Sequence, residues 1–339
     1  MAINTFSGGN PINSLQAAGK NAAINGSYDV WQRGTSVSVA ANVLVYTADR
    51  WQVYNGVNQA MTVSRQATGD TTNLPFIQYC ARVQRNSGQT GTTETFFSQP
   101  LESVNSIPLA GKTVTVSFYA RKGADYSPTS SNLKINLVSG TGTDQNITTY
   151  TGGASVASVT NALTTTWTRY TVTGTVGATA TELRIDFAWT PTGTASTNDY
   201  FEVTGVQLEL GTTATTFSRA GGSIQGELAA CQRYYWRVTT VAEQKIIGPS
   251  AYAATSTVAV ANFVNPVPMR INASSVDFSN IIFANYTGTQ YAMTAVTQDP
   301  ASITTSPVYA TITGATAGHV GRILSSSSLT SYIGFSAEL

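Results

Sequence analysis

Strict apolar–polar alternation constrains this chain more than any other feature of its sequence. Residues 113–118 place Val114, Val116 and Phe118 on one side. Residues 133–137 do the same with Leu133, Ile135 and Leu137, and residues 182–189 repeat the pattern with larger side chains. A period of two sends successive side chains to opposite faces of a pleated strand, so one face must be buried against another layer. The intervening turns are rich in Gly, Thr and Asn. Residues 24–220 are therefore expected to form antiparallel strands in two packed sheets. Gly205 interrupts the alternation of residues 201–208 and predicts a β-bulge.

Residues 221–240 change period. Ile224, Leu228, Cys231, Tyr235 and Val238 are spaced by four, three, four and three, which puts them on a single helical seam. The spacing predicts a helix from Gly222 to about Val238. A helix of two heptads does not persist alone. It either docks on a sandwich or forms a seam where several subunits meet about a symmetry axis. Residues 241–339 return to strand signals, at 257–263 and 308–312, and predict a second, smaller β-domain. Residues 1–23 lack apolar periodicity and read as an extended docking arm, with a helical turn around 14–18. No internal repeat of the β-helix kind is present.

Composition narrows what such a fold can do. Charged residues are 10% of the 339, against roughly a quarter in ordinary globular proteins. The net charge is +1 and no basic run occurs, which argues against a nucleic-acid partner. No apolar stretch approaches the roughly 20 residues of a membrane span. The first residues show neither the basic nor the apolar region of a secretory leader. A weakly charged surface without an export signal fits a protein made in a host cytoplasm and released by lysis on a virus particle or, less economically, a reading frame that is missing its leader. Cys80 and Cys231 show no metal-ligand spacing. Each reads as a small buried hydrophobe, a disulfide between them being the lesser alternative.

Catalytic patterns are missing from the sequence. His319 is the single histidine, set in a Gly-rich turn, and no context supplies the nucleophile and orienting group of a triad. No HExxH, CxxC, GxGxxG or P-loop pattern occurs. The 17 acids are scattered, and a glycosidase needs two of them a few ångströms apart. Glu182 and Asp186 alternate outward on one strand and are expected on a solvated or subunit-facing surface. Trp31 and Trp51 flank a loop that Arg33, Asp49 and Arg50 are expected to pin. The two indoles either seal the sandwich edge or, with Arg33 and Arg50, bind a ligand by sugar stacking, which requires an open ring.

Three blocks carry a resemblance. The first is Asn25-Gly26-Ser27-Tyr28-Asp29-Val30-Trp31-Gln32-Arg33-Gly34-Thr35-Ser36 with Tyr46-Thr47-Ala48-Asp49-Arg50-Trp51. The second is Gly205-Val206-Gln207-Leu208-Glu209-Leu210-Gly211 with Cys231-Gln232-Arg233-Tyr234-Tyr235, and the third is Pro266-Val267-Pro268-Met269-Arg270. In order and spacing they resemble a family of bacteriophage tail-fibre and virion structural proteins, over residues 25–339. The first strand, opening Asn-Gly-x-aromatic, also resembles carbohydrate-binding modules.

The resemblance implies an all-β fold: a jelly-roll β-sandwich, one amphipathic helix, then a smaller C-terminal β-domain. It implies a non-enzymatic tail-fibre or head-fibre subunit on the virion surface, with host surface polysaccharide as a ligand. A homotrimer is expected from it and from the helix seam. Other virion proteins would bind through the N-terminal arm. The alternatives are a capsid decoration or adaptor without ligand and, less favoured, a secreted polysaccharide-active enzyme. Sandwiches of this type often hold a structural calcium near the first and last strands, which points to Asn25, Asp29, Asp199 and Glu202 as its oxygen ligands.

Overall fold

The computed structural model describes residues 19–242, 244–299, 301–326 and 330–339. They divide into two compact units, residues up to 228 with Leu339, and residues 229–338. The protein is all-β, a jelly-roll sandwich followed by a short helix and a smaller β-unit.

Among the described residues, the first unit holds twelve strands: β1 (Ser36–Val39), β2 (Leu44–Tyr46), β3 (Gln52–Tyr54), β4 (Met61–Ala67), β5 (Tyr79–Arg85), β6 (Thr95–Pro100), β7 (Thr113–Lys122), β8 (Asn132–Gly140), β9 (Ala154–Ala162), β10 (Thr168–Thr175), β11 (Glu182–Trp189) and β12 (Tyr200–Leu210). They form two six-stranded sheets, ordered β1-β4-β5-β12-β7-β10 and β2-β3-β6-β11-β8-β9. Val114, Val116 and Phe118 of one sheet and Leu133, Ile135 and Leu137 of the other are buried in one core, as the alternation requires. Trp51 stands at its centre, with ring centroids 5.1 Å from Phe97 and 5.2 Å from Tyr28. The predicted bulge lies between Thr204 and Gln207. Gly205 adopts φ +60° there, a conformation that favours glycine, and a Cβ would press on the tip of the Ile77 side chain at 2.8 Å.

Three expectations are corrected. Residues 19–23 are not an arm: the Asn21 amide donates to Val206 O and Ser218 O, Ala22 N donates to Leu208 O, and Ala23 is fully buried. Residues 1–18, with the predicted turn at 14–18, lie outside the described residues. The helix is also shorter than its apolar spacing suggests. Helix α2, after the single-turn α1 (Ser103–Ser106), spans only Ile224–Gln232. Tyr235 and Val238 sit on β13 (Tyr235–Thr240), which pairs along its length with residues 331–336. Aromatic and β-branched side chains at 235–240 suit a ladder better than a helix. Finally, Glu182 and Asp186 do point away from the inter-sheet core, yet both are buried. Gln145 N–H covers the first at 2.6 Å and Arg184 the second at 2.8 Å.

The second unit is also a two-layer β structure. β14 (Ile246–Ala253), β15 (Val258–Val264), β16 (Ser275–Ser279), β17 (Ile281–Asn285), β18 (Gln290–Ala292), β19 (Ala295–Gln298), β20 (Thr305–Thr311), β21 (Val320–Ser325) and β22 (Ser331–Ser336) complete it. A three-stranded sheet, β13-β22-β16, accompanies a seven-stranded one, β18-β17-β21-β14-β15-β20-β19. Trp236, Phe263, Phe283 and Phe335 fill the core of this unit.

Candidate ligand-binding face

On the first sandwich, the outer face of the sheet containing β12 carries an ordered polar row. Cross-strand register places Ser64 beside Arg82, Arg82 beside Glu202 and Glu202 beside Arg121. Glu202 is fully buried. Its Oε1 accepts from Arg82 Nε at 2.9 Å and Nη2 at 2.7 Å, and its Oε2 accepts from Arg121 Nε. Each guanidinium also lies over an aromatic ring, Arg82 at 4.0 Å from the Tyr200 centroid and Arg121 at 4.5 Å from Trp167. The Trp167 indole is fixed in turn by donating to Thr68 O at 2.9 Å.

This is a preorganised donor array. A guanidinium held by a carboxylate and stacked on a ring has lost most of its rotamer freedom. Both arginine side chains remain 27% exposed, so their outer edges face water. Such planar, charge-assisted donors match hydroxyl or carboxylate oxygens of a saccharide. The segment between β4 and β5 borders the row. Asp70 accepts from Thr72 N, Asn73 N and the Asn73 amide, and these bonds hold its carboxyl below the usual range. Phe76, in the same segment, is 61% exposed, while Ile77 is buried near Gly205.

The residues singled out from sequence sit elsewhere. Trp51 is fully buried and Trp31 is 8% exposed. Their indole N–H groups donate to Ile24 O and Tyr28 O. Neither ring is open, so the stacking role for them is corrected: they seal the sandwich. Arg50 is likewise buried, donating to Pro100 O at 2.8 Å, and Arg33 lies over Tyr46.

The four oxygen ligands proposed for calcium are not brought together. Asn25 bonds Val30 and Asp49 backbone, Asp29 pairs with Arg219, Asp199 with Arg85, and Glu202 with Arg82 and Arg121. A carboxylate already neutralised by arginine is a poor cation ligand. No group of three or more His, Cys, Asp or Glu suited to a metal occurs among the described residues.

The helix seam is also dispersed. Ile224 and Leu228 are 45% and 38% exposed, whereas Cys231 and Tyr235 are buried, and Val238 is half-buried. With Val30 and Trp31, Ile224 and Leu228 line an apolar hollow of about 350 Å³. Cys80 and Cys231 are both buried, and no disulfide joins them. His319 is an exposed turn residue whose N–H bonds Thr316 O.

Sequence reasoning missed Arg82, Arg121, Tyr200 and Trp167, and assigned Glu202 to a metal. Alternation alone marks Arg82, Glu202 and Arg121 as outward. Their adjacency depends on register between strands far apart in the chain.

No family model matches the chain, and no curated protein matches it. Among solved structures, it is similar to a CBM4 module at 18% identity and a TM-score of 0.34, covering 55% of this chain and 98% of that one. It is similar to the CBM22-2 xylan-binding domain from Paenibacillus barcinonensis at 20% identity and a TM-score of 0.30, covering 48% and 92%. A tailspike protein of bacteriophage CBA120 matches at 14% identity and a TM-score of 0.33, covering 56% of this chain and 21% of that one.

Proposed function

We propose that this chain is a non-enzymatic structural protein of a bacteriophage virion, a tail-fibre or head-fibre subunit whose first sandwich binds host surface glycan. The observation that carries this reading is the fixed row of Arg82, Glu202 and Arg121, backed by Tyr200 and Trp167. Glu202 is clamped between two guanidiniums, which suits it to orienting donors and not to moving protons. The low charge of the chain and the resemblance of its sequence blocks to those of virion proteins support placement on a particle surface. Ile224 and Leu228, apolar and exposed beside Trp31, support assembly into a homotrimer. A molar mass of one chain at micromolar concentration would remove that part of the proposal.

The test is binding to an array of host lipopolysaccharide fragments, with the wild type compared against Arg82→Ala and Arg121→Ala. Binding that weakens about tenfold in each variant, the loss of a charge-assisted hydrogen bond or two, supports the reading. If no saccharide binds and antibody to the protein fails to block adsorption of the phage, receptor binding is abandoned in favour of a decoration role.

A further inference from the structure

The seven-stranded sheet of the second unit presents an unusual outer face. Register places Tyr252 beside Val320 on one side and beside Val260 on the other, and Val260 beside Tyr309. Tyr286, just past β17, donates its N–H to Val320 O. One row therefore runs Tyr286, Val320, Tyr252, Val260, Tyr309, from the turn after β17 across β21, β14, β15 and β20. Four of its five members are open, Tyr286 at 64% exposed, Val320 51%, Tyr252 48% and Tyr309 40%, and Val260 is half-buried.

Two features set this row apart from a patch of exposed core. The tyrosines fall at every second position of the row, so neighbouring rings repeat at about 10 Å, two inter-strand spacings. Their ends are also anchored. The Tyr309 hydroxyl donates to Asp299 Oδ2 at 3.0 Å, and the Arg322 guanidinium lies 5.8 Å from the Tyr286 ring centre. The flanking row carries Arg322, Ser250 and Asn262, polar groups able to bond hydroxyls.

We infer that this row is a second saccharide site, independent of the arginine face, that takes an extended, flat polysaccharide chain of β-1,4-linked pyranoses. In such a ribbon each ring is turned over relative to the last. Every second ring thus offers the same C–H face, at a repeat of about 10 Å that matches the tyrosine spacing. Tyrosine supplies an apolar plane for that face and a hydroxyl for the chain edge. A protein partner fits less well. The row is about 20 Å long and about 7 Å wide, far short of the roughly 800 Å² per partner of a stable protein interface.

The experiment is affinity electrophoresis of the full chain through gels containing soluble hydroxyethyl cellulose, with dextran gels as the control. The wild type is expected to be retarded by hydroxyethyl cellulose and not by dextran. Tyr252→Ala is expected to weaken retardation about tenfold, the loss of the central stack, with Tyr252→Phe staying within about threefold because the ring remains. Tyr286→Ala, outside the ladder, gives the same direction without touching a strand. Arg82→Ala is expected to leave retardation unchanged, so failure of the first site does not mimic failure of this one. The inference is overturned if the wild type is not retarded, if Tyr252→Ala and Tyr286→Ala are retarded like wild type, or if Tyr252→Ala lowers the solution molar mass, which would make a second copy of the chain the occupant.

Discussion

The first sandwich closes its outer face with Arg82, Glu202 and Arg121 in one charged row, while the second lays Tyr286, Tyr252 and Tyr309 across its sheet with Arg322 and Asp299 against the rings at its two ends. The contrast continues inward. The first unit buries Asp49, Glu102, Glu182, Asp186, Asp199, Glu202, Glu209 and Glu227, together with Arg50 and Arg85. Among the described residues of the second unit, the buried polar groups are Asn and Ser alone. Two layered β units within one weakly charged chain thus differ in the polar groups they bury. One encloses charged side chains, whose worth depends on every partner staying in place, and the other encloses neutral ones.

Arg85 gives the sharpest way to break that comparison. Its Nη1 donates to Asp199 at 2.7 Å, and its Nη2 donates to the carbonyls of Gln89, Gly91 and Gly193. Arg85→Ala strands a buried carboxylate and should cost about 3–5 kcal/mol. The neutral counterpart is Asn265, which accepts from the Trp236 indole at 3.1 Å and from Ser306 at 2.8 Å. Asn265→Ala should cost about 1–3 kcal/mol. Urea unfolding of both variants measures the gap, and equal losses would erase the distinction between the units.

A smaller effect is expected on the arginine face. Glu202→Gln keeps the shape but removes the charge that holds both guanidiniums, and should cost about 2 kcal/mol. Saccharide binding at that face should weaken in the same variant, with hydroxyethyl cellulose retardation unchanged. Loss of both together would mean that the two faces are not independent.

Much of this architecture is legible in the sequence, because a buried sheet face writes itself into every second residue. Val114, Val116 and Phe118 and the Gly205 bulge are local signals, and the fold honours them. Tyr235 and Val238 mislead because four-three spacing is satisfied by chance in a run that finds its partner strand almost a hundred residues later. Asp186 shows a subtler limit. Its outward parity is correct, but Arg184 and the surrounding chain close over it, and alternation does not encode cover. The candidate sites are the least legible part. Arg82, Arg121 and Glu202 come from three segments, and the tyrosine row from four strands and a turn, so each exists only through register.

The buried carboxyls also predict a pH dependence confined to one unit. Burial is the largest influence on Asp186 and Glu227 and raises both above their ordinary values, against the opposing pull of Arg184 on the first and of backbone N–H groups on the second. A raised folded pKa means that the folded state keeps a proton the unfolded chain releases. The associated stability is fully present below the unfolded values of about 3.9 and 4.3, and is lost as pH rises through the raised folded pKa. Asp186→Asn should therefore gain on the wild type as pH rises from about 4 toward neutrality. Hydrogen exchange resolved by unit measures it, with protection in the second unit flat over the same window.

Cys80 supplies the least perturbing probe of the arginine face. It lies two residues from Arg82, so its side chain shares the outer face, yet it is closed to solvent, with its Sγ 3.6 Å from Gln66 O. Burial is the main cause that pushes its thiol up, reinforced by the Glu202 carboxylate. The thiolate is the reactive form, so a thiol reagent at about pH 8 reaches Cys80 only when the surrounding segment opens. Labelling of the native protein should be slow, and slower still with saccharide on the Arg82 and Arg121 row, because a ligand that binds the closed form draws population away from the open one. The tyrosine row lies in the other unit, so hydroxyethyl cellulose should leave the Cys80 rate untouched. A rate that responded to hydroxyethyl cellulose and ignored the lipopolysaccharide fragments would reverse the assignment of ligands to the two faces.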